Sequence, residues 1–197
     1  MGRWEPNARE RLQHAAMTLF LERDYAEVTV AEIAERAGVT KRTFFNHFTD
    51  KREVLFAGAQ AFEDGVVRHL AETDDELEAI EAAVTALTRA GADLLSNYVE
   101  YARLRRTVIA ASPELHERDL IKMSALATAI TEGLAARREP GRTAAFAAQT
   151  AVIVFTAAYD DWAEDTTADF GALMRRSLES LRKAVHPLSA TAAGDQA

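Results

Sequence analysis

An all-α chain of about nine helices is what this sequence predicts, and three observations carry that reading. Apolar residues recur at three- and four-residue spacing over most of the 197 residues. The β-branched and aromatic runs that make strands are nearly absent. Chain breakers are sparse, with 9 glycines and 4 prolines. The length is enough for one large or two small domains with a real core.

The first helix is expected over residues 6–23, with Leu12, Ala15, Ala16, Leu19 and Phe20 inward. Thr29 followed by Glu32 is a capping box that opens a short second helix. Val30, Ile33, Ala34 and Ala37 give that helix its apolar face, and Gly38 stops it where positive φ is needed. Ala34 is small enough for the next helix to cross close by. Thr40 caps the third helix, on which Phe44 and Phe48 form a buried stripe. Asp50 with Glu53 is read as a cap opening a long helix at Lys51, continuing through Phe56, Ala59, Phe62, Val66 and Leu70. Thr73 with Glu76 is read as another box, starting a helix to about residue 98. A shorter helix passes through Tyr101, Leu104 and Val108 and ends before Ser112-Pro113. The next reaches about residue 138, stopped by Pro140-Gly141; residues 142–164 and 167–186 supply the last two. The expected organisation is a helix-turn-helix domain over 1–50, a helical effector and dimerisation domain over 51–187, and a frayed tail over 188–197.

With Phe44 and Phe48 inward, the third helix presents Thr40, Lys41, Arg42, Thr43, Phe45, Asn46 and His47. These types suit base-edge hydrogen bonds, thymine-methyl contact and phosphate contact. Thr29, heading the first helix of the pair, joins them as a DNA-binding candidate. From 36 to 52 there are five bases, Arg36, Lys41, Arg42, Lys51 and Arg52, against the single acid Asp50. That local excess reverses a net charge of −8 for the whole chain. Phosphate attraction depends on local charge, so an acidic protein can still dock on DNA through such a patch. A small helical hairpin with a solvated basic face is the plainer alternative.

The run GVTKRTFFNHFTDKREVL, within residues 9–55, resembles the DNA-binding domain of TetR-family transcriptional regulators. The resemblance implies that a first helix braces the pair, that the recognition helix enters the major groove, and that Lys51 holds a phosphate. It places Phe45 where the family has tyrosine or phenylalanine, and His47 at a common backbone- or base-contact position. Phenylalanine lacks the hydroxyl, which leaves apolar contact. The resemblance also implies dimerisation through the two C-terminal helices and an effector pocket among the middle ones.

The segment 144–163 is apolar almost all round, so it needs partners on two faces. With the stripe on the last helix it suggests a four-helix interface between two copies, using Phe146, Val152, Phe170, Met174, Leu178 and Leu181. Burial of both helices within one chain is the alternative. Two readers related by a two-fold axis would address a palindromic operator. Phe62, Tyr98, Tyr101, Met123, Phe155, Tyr159 and Trp162 are the pocket candidates for a small, largely apolar effector, each competing with a plain core role. Arg103, Arg105 and Arg106 read as a solvated face or an anion contact. Asp160, Asp161, Glu164 and Asp165 read as a solvated helix end or a cation contact.

The absence of cysteine excludes disulfides, thiolate metal sites and a cysteine nucleophile. No apolar run reaches the roughly 18 residues of a membrane span, and the N-terminus lacks a signal-peptide core, so a cytoplasmic address is expected. His14, His47, His69, His116 and His186 show no helical zinc spacing, and no phosphate loop, nucleotide fingerprint or serine elbow occurs. No cofactor and no catalysis are expected. The functional expectation is a homodimeric, ligand-responsive DNA-binding repressor. A constitutive DNA-binding or architectural protein without an effector is the rival.

Overall fold

The computed structural model describes residues 7–95 and 99–191. Nine α-helices and one 3-10 turn, and no strand, occur among the described residues. In chain order they are α1 Ala8–Glu22, the turn Tyr25–Glu27, α2 Val30–Arg36, α3 Lys41–His47, α4 Ala59–Ala71, α5 Ala79–Leu95, α6 Val99–Ala111, α7 Pro113–Ala136, α8 Gly141–Glu164 and α9 Phe170–Thr191. Two compact units form: residues to Gln60 with Glu100–Lys122, and Ala61–Val99 with the chain from Met123 onward. None of these helices is long and apolar enough to cross a membrane.

In the first unit, α1 opens on a capping box. Asn7 accepts from the Glu10 N–H at 3.0 Å, and the Glu10 carboxylate accepts from the Asn7 N–H at 3.2 Å. Leu12, Ala16, Met17, Ile33, Phe44, Val54 and Leu115 are shut from solvent, packed with Leu104, Val108 and Ile109 of α6. Thr29 and Glu32 make the expected box at α2. Gly38 takes φ +66 between α2 and α3, a left-handed backbone that a side chain would strain.

The helix expected to open at Lys51 starts instead at Ala59. Asp50 accepts from the Arg52 and Glu53 N–H groups at 2.8 and 3.2 Å, so half of the cap forms. The Glu53 carboxylate, which would complete it, goes to Arg118 and Lys122. Val54, Leu55 and Phe56 are all buried, and with Glu53 so engaged no helix opens here. The segment therefore runs through turns closed by Leu55 N–H to Arg52 C=O and Phe56 N–H to Glu53 C=O.

In the second unit α5, α8 and α9 pack on one another. Small residues permit close approach: Ala82, Ala83 and Ala86 of α5 and Ala144, Ala148, Ala151 and Ala158 of α8 are fully buried. A Cβ on Gly91 would lie 2.5 Å from the Phe170 ring. Gly91→Ala is expected to displace that ring and cost about 1–3 kcal/mol, read by denaturant unfolding.

The Thr73–Glu76 box does not form. Thr73 is buried; its hydroxyl donates to Leu70 C=O at 2.6 Å and accepts from Arg137 at 2.8 Å. Arg137 also donates to Leu70 C=O at 3.3 Å in the last turn of α4, and to Thr73 C=O at 3.0 Å and Asp74 C=O at 2.5 Å just beyond it. With the hydroxyl engaged, α5 waits until Ala79. Arg137→Ala is expected to lower stability by about 2–4 kcal/mol, with Arg137→Lys recovering only part, measured by thermal unfolding.

α9 begins at Phe170, where Asp169 accepts from the Ala172 N–H at 2.7 Å, because Thr167 is bonded to Asp165. It runs to Thr191, past Pro187 and into the expected tail. Proline there removes one backbone donor near the end of the helix, where few hydrogen bonds depend on it.

Candidate nucleic-acid interface

The turn between α2 and α3 is fixed from both sides. Arg36 at the end of α2 grips Glu22 of α1 with two hydrogen bonds, 2.9 and 2.5 Å. Arg23 pairs with Glu32 at 2.8 Å. The Arg23 guanidinium and the Thr29 hydroxyl and N–H together hold the Glu32 carboxyl down at about 2. Across the turn, Val39 N–H bonds Ala34 C=O at 2.9 Å. Thr40 then caps α3, accepting from the Thr43 N–H at 3.1 Å.

α3 presents two faces. Phe44 and Phe48 point into the core, 0 % and 4 % exposed. Thr40, Lys41, Arg42, Phe45, Asn46 and His47 are exposed, and Thr43 is half-buried. Phe45 is 53 % exposed yet braced edge-on by Phe44, ring centroids 5.5 Å apart. An apolar ring held proud of a polar face is suited to thymine-methyl contact. The Thr40 and Thr43 hydroxyls bond each other at 2.9 Å. The Thr29 hydroxyl is taken up by Glu32, donating at 2.7 Å and accepting its N–H at 3.3 Å.

The basic patch is smaller than its composition. Arg36 is held by Glu22, and Arg52 by Asp50 at 2.5 Å and Glu114 at 3.2 Å. Lys51 turns inward: its Nζ donates to the carbonyls of Tyr25 at 2.8 Å, Val28 at 3.0 Å and Ala26 at 3.4 Å, and lies 4.1 Å from the Tyr25 ring centroid. Lys41 and Arg42 are exposed and form no ion pair among the described residues. Free positive charge is therefore concentrated at the start of α3.

Two family comparisons match this architecture. Residues 12–57 match the bacterial regulatory proteins of the tetR family. Residues 75–186, more than half of the chain, match the MftR C-terminal domain. The chain belongs to the TetR family of transcriptional regulators. FasR of Mycolicibacterium smegmatis, an HTH-type transcriptional activator, is 38 % identical over 82 residues, spanning 40 % of this chain and 37 % of FasR. MftR of Mycobacterium tuberculosis, assigned as a mycofactocin biosynthesis transcriptional regulator, is 26 % identical over 176 residues, 84 % of each chain. Among solved structures, SmeT in complex with triclosan has a TM-score of 0.56 at 19 % identity, covering 89 % of this chain and 91 % of its own. The fatty acid degradation regulator FadR of Bacillus halodurans has a TM-score of 0.55 at 18 % identity, covering 89 % and 94 %. Both share the TetR fold.

In this TetR-family chain the pocket candidates separate. Phe62, Phe155, Tyr159 and Trp162 form one aromatic group with Phe170: Phe62 and Phe155 lie 4.9 Å apart, Phe155 and Phe170 5.9 Å, Tyr159 and Trp162 6.0 Å. Met123 is half-buried on α7. Tyr101 belongs to the first unit, its ring edge-on to His14 at 6.0 Å. Tyr98 lies outside the described residues. Arg105 is engaged within the chain, donating to Leu55 C=O and to the Asp119 carboxylate. Of the acids near the end of α8, Asp161 pairs with Arg176 at 2.5 Å.

The dimer candidates also divide. Met174, Phe170 and Val152 are 0 %, 8 % and 8 % exposed, used by the chain's own core as α9 packs back on α5 and α8. Phe146 is 68 % exposed, and Leu178 and Leu181 are partly exposed. Ile153, one heptad beyond Phe146, is 59 % exposed and was not singled out by the sequence. Glu53, Arg118 and Lys122 were also missed. They meet across 65 and 69 residues of chain, and no local spacing announces such a pairing.

Proposed function

We propose that this TetR-family regulator acts as a homodimeric, cytoplasmic repressor that leaves a palindromic operator when a small, largely apolar effector binds. The observation that carries the DNA-reading part is the two-faced α3, with Phe44 buried behind exposed Lys41, Arg42, Phe45, Asn46 and His47. Lys41 and Arg42 supply phosphate or guanine contacts, and Asn46 and His47 supply base or backbone contacts. One seven-residue helix reads too few base pairs to be selective, so two must act together.

The pairing surface in this reading is the outer face of α8 and α9: Phe146 and Ile153 with Leu178, Leu181 and Val185. Large apolar side chains left exposed on a helix otherwise packed into the core are suited to a symmetric partner. The aromatic group around Phe155 is the place for an apolar effector. Release then requires that the effector bind the off-DNA conformation more tightly than the DNA-bound one. FasR is an activator, and activation is the second reading for this chain.

Selection of binding sites from random duplex DNA by the purified protein tests the proposal. Two half-sites in inverted repeat, centred about one helical turn or more apart, are expected. Absence of any selected sequence at low salt would overturn it.

A further inference from the structure

We infer that Arg118 and Arg105, far along the chain from α3, are positioning residues for DNA reading, acting through the turn segment 50–58. The inference rests on the DNA-reading assignment above.

That segment has no helix of its own to hold it, yet it links α3 to α4. Residues of α6 and α7 meet several of its polar groups, and Arg9 of α1 donates to Ala57 C=O at 2.7 Å. The Glu53 carboxylate accepts from Arg118 Nε at 2.8 Å and from Lys122 at 3.4 Å. Arg105 donates to Leu55 C=O at 3.1 Å and to Asp119 at 2.8 Å, with its guanidinium 5.1 Å from the Phe56 ring centroid. Arg52 reaches Glu114 at 3.2 Å. Charged and hydrogen-bonded contacts thus hold the turn together with the buried side chains of Val54, Leu55 and Phe56.

The turn in turn sets Lys51. Its Nζ sits on the carbonyls of residues 25, 26 and 28, immediately before the Thr29 cap of α2. The path from Arg118 thus runs through the Glu53 carboxylate, along the backbone from 53 to 51, and through the Lys51 ammonium to the carbonyls ahead of the helix pair. Glu53 is 19 % exposed at its side chain, so losing Arg118 leaves a largely enclosed carboxylate with Lys122 alone. The turn then shifts to hydrate it. An orientation error at α3 lowers affinity for every sequence without touching a base or a phosphate.

The test compares the full-length protein with Arg118→Ala, Glu53→Arg and the swapped pair Glu53→Arg/Arg118→Glu, on the duplex selected by the unaltered protein. Affinity is measured well below the lowest melting midpoint of the set, so that every protein is folded. Each single variant is expected to bind about tenfold more weakly, equivalent to roughly 1.4 kcal/mol, with the same site preference and the same salt slope. The swap should recover most of that loss. Single variants that bind like the unaltered protein would overturn the inference and leave the DNA-reading assignment standing. A flattened salt slope in Arg118→Ala would also overturn it, by making Arg118 a phosphate ligand. An unaltered protein that selects no duplex takes both down.

Discussion

Arg42→Ala is expected to weaken operator binding by about 1–3 kcal/mol per half-site, hence roughly 2–6 kcal/mol for a symmetric dimer. Arg42 and Lys41 are the exposed bases of α3, and neither is engaged by a carboxylate among the described residues. Their charge is therefore available to DNA without first breaking an internal ion pair. Arginine can bond two acceptors of guanine at once, so removing it should relax preference at one position of each half-site. Lys41→Ala should instead act evenly across sequences and flatten the salt dependence by about one unit for each phosphate no longer neutralised. Both side chains are solvated, so stability should stay within about 0.5 kcal/mol. Titrating each variant against the selected duplex over a salt series, with a repeated site selection, separates the roles. Unchanged affinity and an unchanged site preference in both variants would remove α3 as the reader.

Lys51→Met is expected to hurt the fold and DNA binding together. The family resemblance assigns this lysine to a phosphate, whereas here its ammonium serves the carbonyls of Tyr25, Val28 and Ala26. Methionine keeps the stem and removes all the donors. Partly buried carbonyls lose their partners, a loss of about 2–3 kcal/mol. That corresponds to roughly 2–4 °C in melting midpoint for each kcal/mol in a chain of this size. Amide exchange over residues 25–29 should accelerate, since the turn ahead of the Thr29 cap is what the lysine restrains. The alternative outcome is distinct: an unmoved midpoint with a flattened salt slope would return Lys51 to the phosphate.

Local chemistry made the helix pair readable. The Thr29 box, the Gly38 turn and the Thr40 cap each depend on residues within four positions, and each stands in the structure as its spacing implies. The same reasoning failed at Glu53 and Thr73, although both sit in equally good capping patterns. Glu53 is claimed by Arg118 and Thr73 by Arg137, 65 and 64 residues away, and a charged donor outcompetes a backbone cap. Burial misled in a similar way on α9. A helical stripe marks a face that leaves water, but does not say whether its partner is the same chain or another copy. Met174 and Phe170 met their own chain first. In the patch from 36 to 52, composition overstated the charge on offer, because Glu22 and Glu114 lie outside that stretch of chain.

Leu104, Val108, Ile109 and Leu115 lie in the same core as Phe44 and Val54, although residues 61–99 belong to the other unit. During synthesis the ribosome will have delivered α2 and α3 long before the strip of chain that completes their hydrophobic bed. Nascent readers must wait for it, and a gene fragment cut after residue 60 would encode an unfinished one.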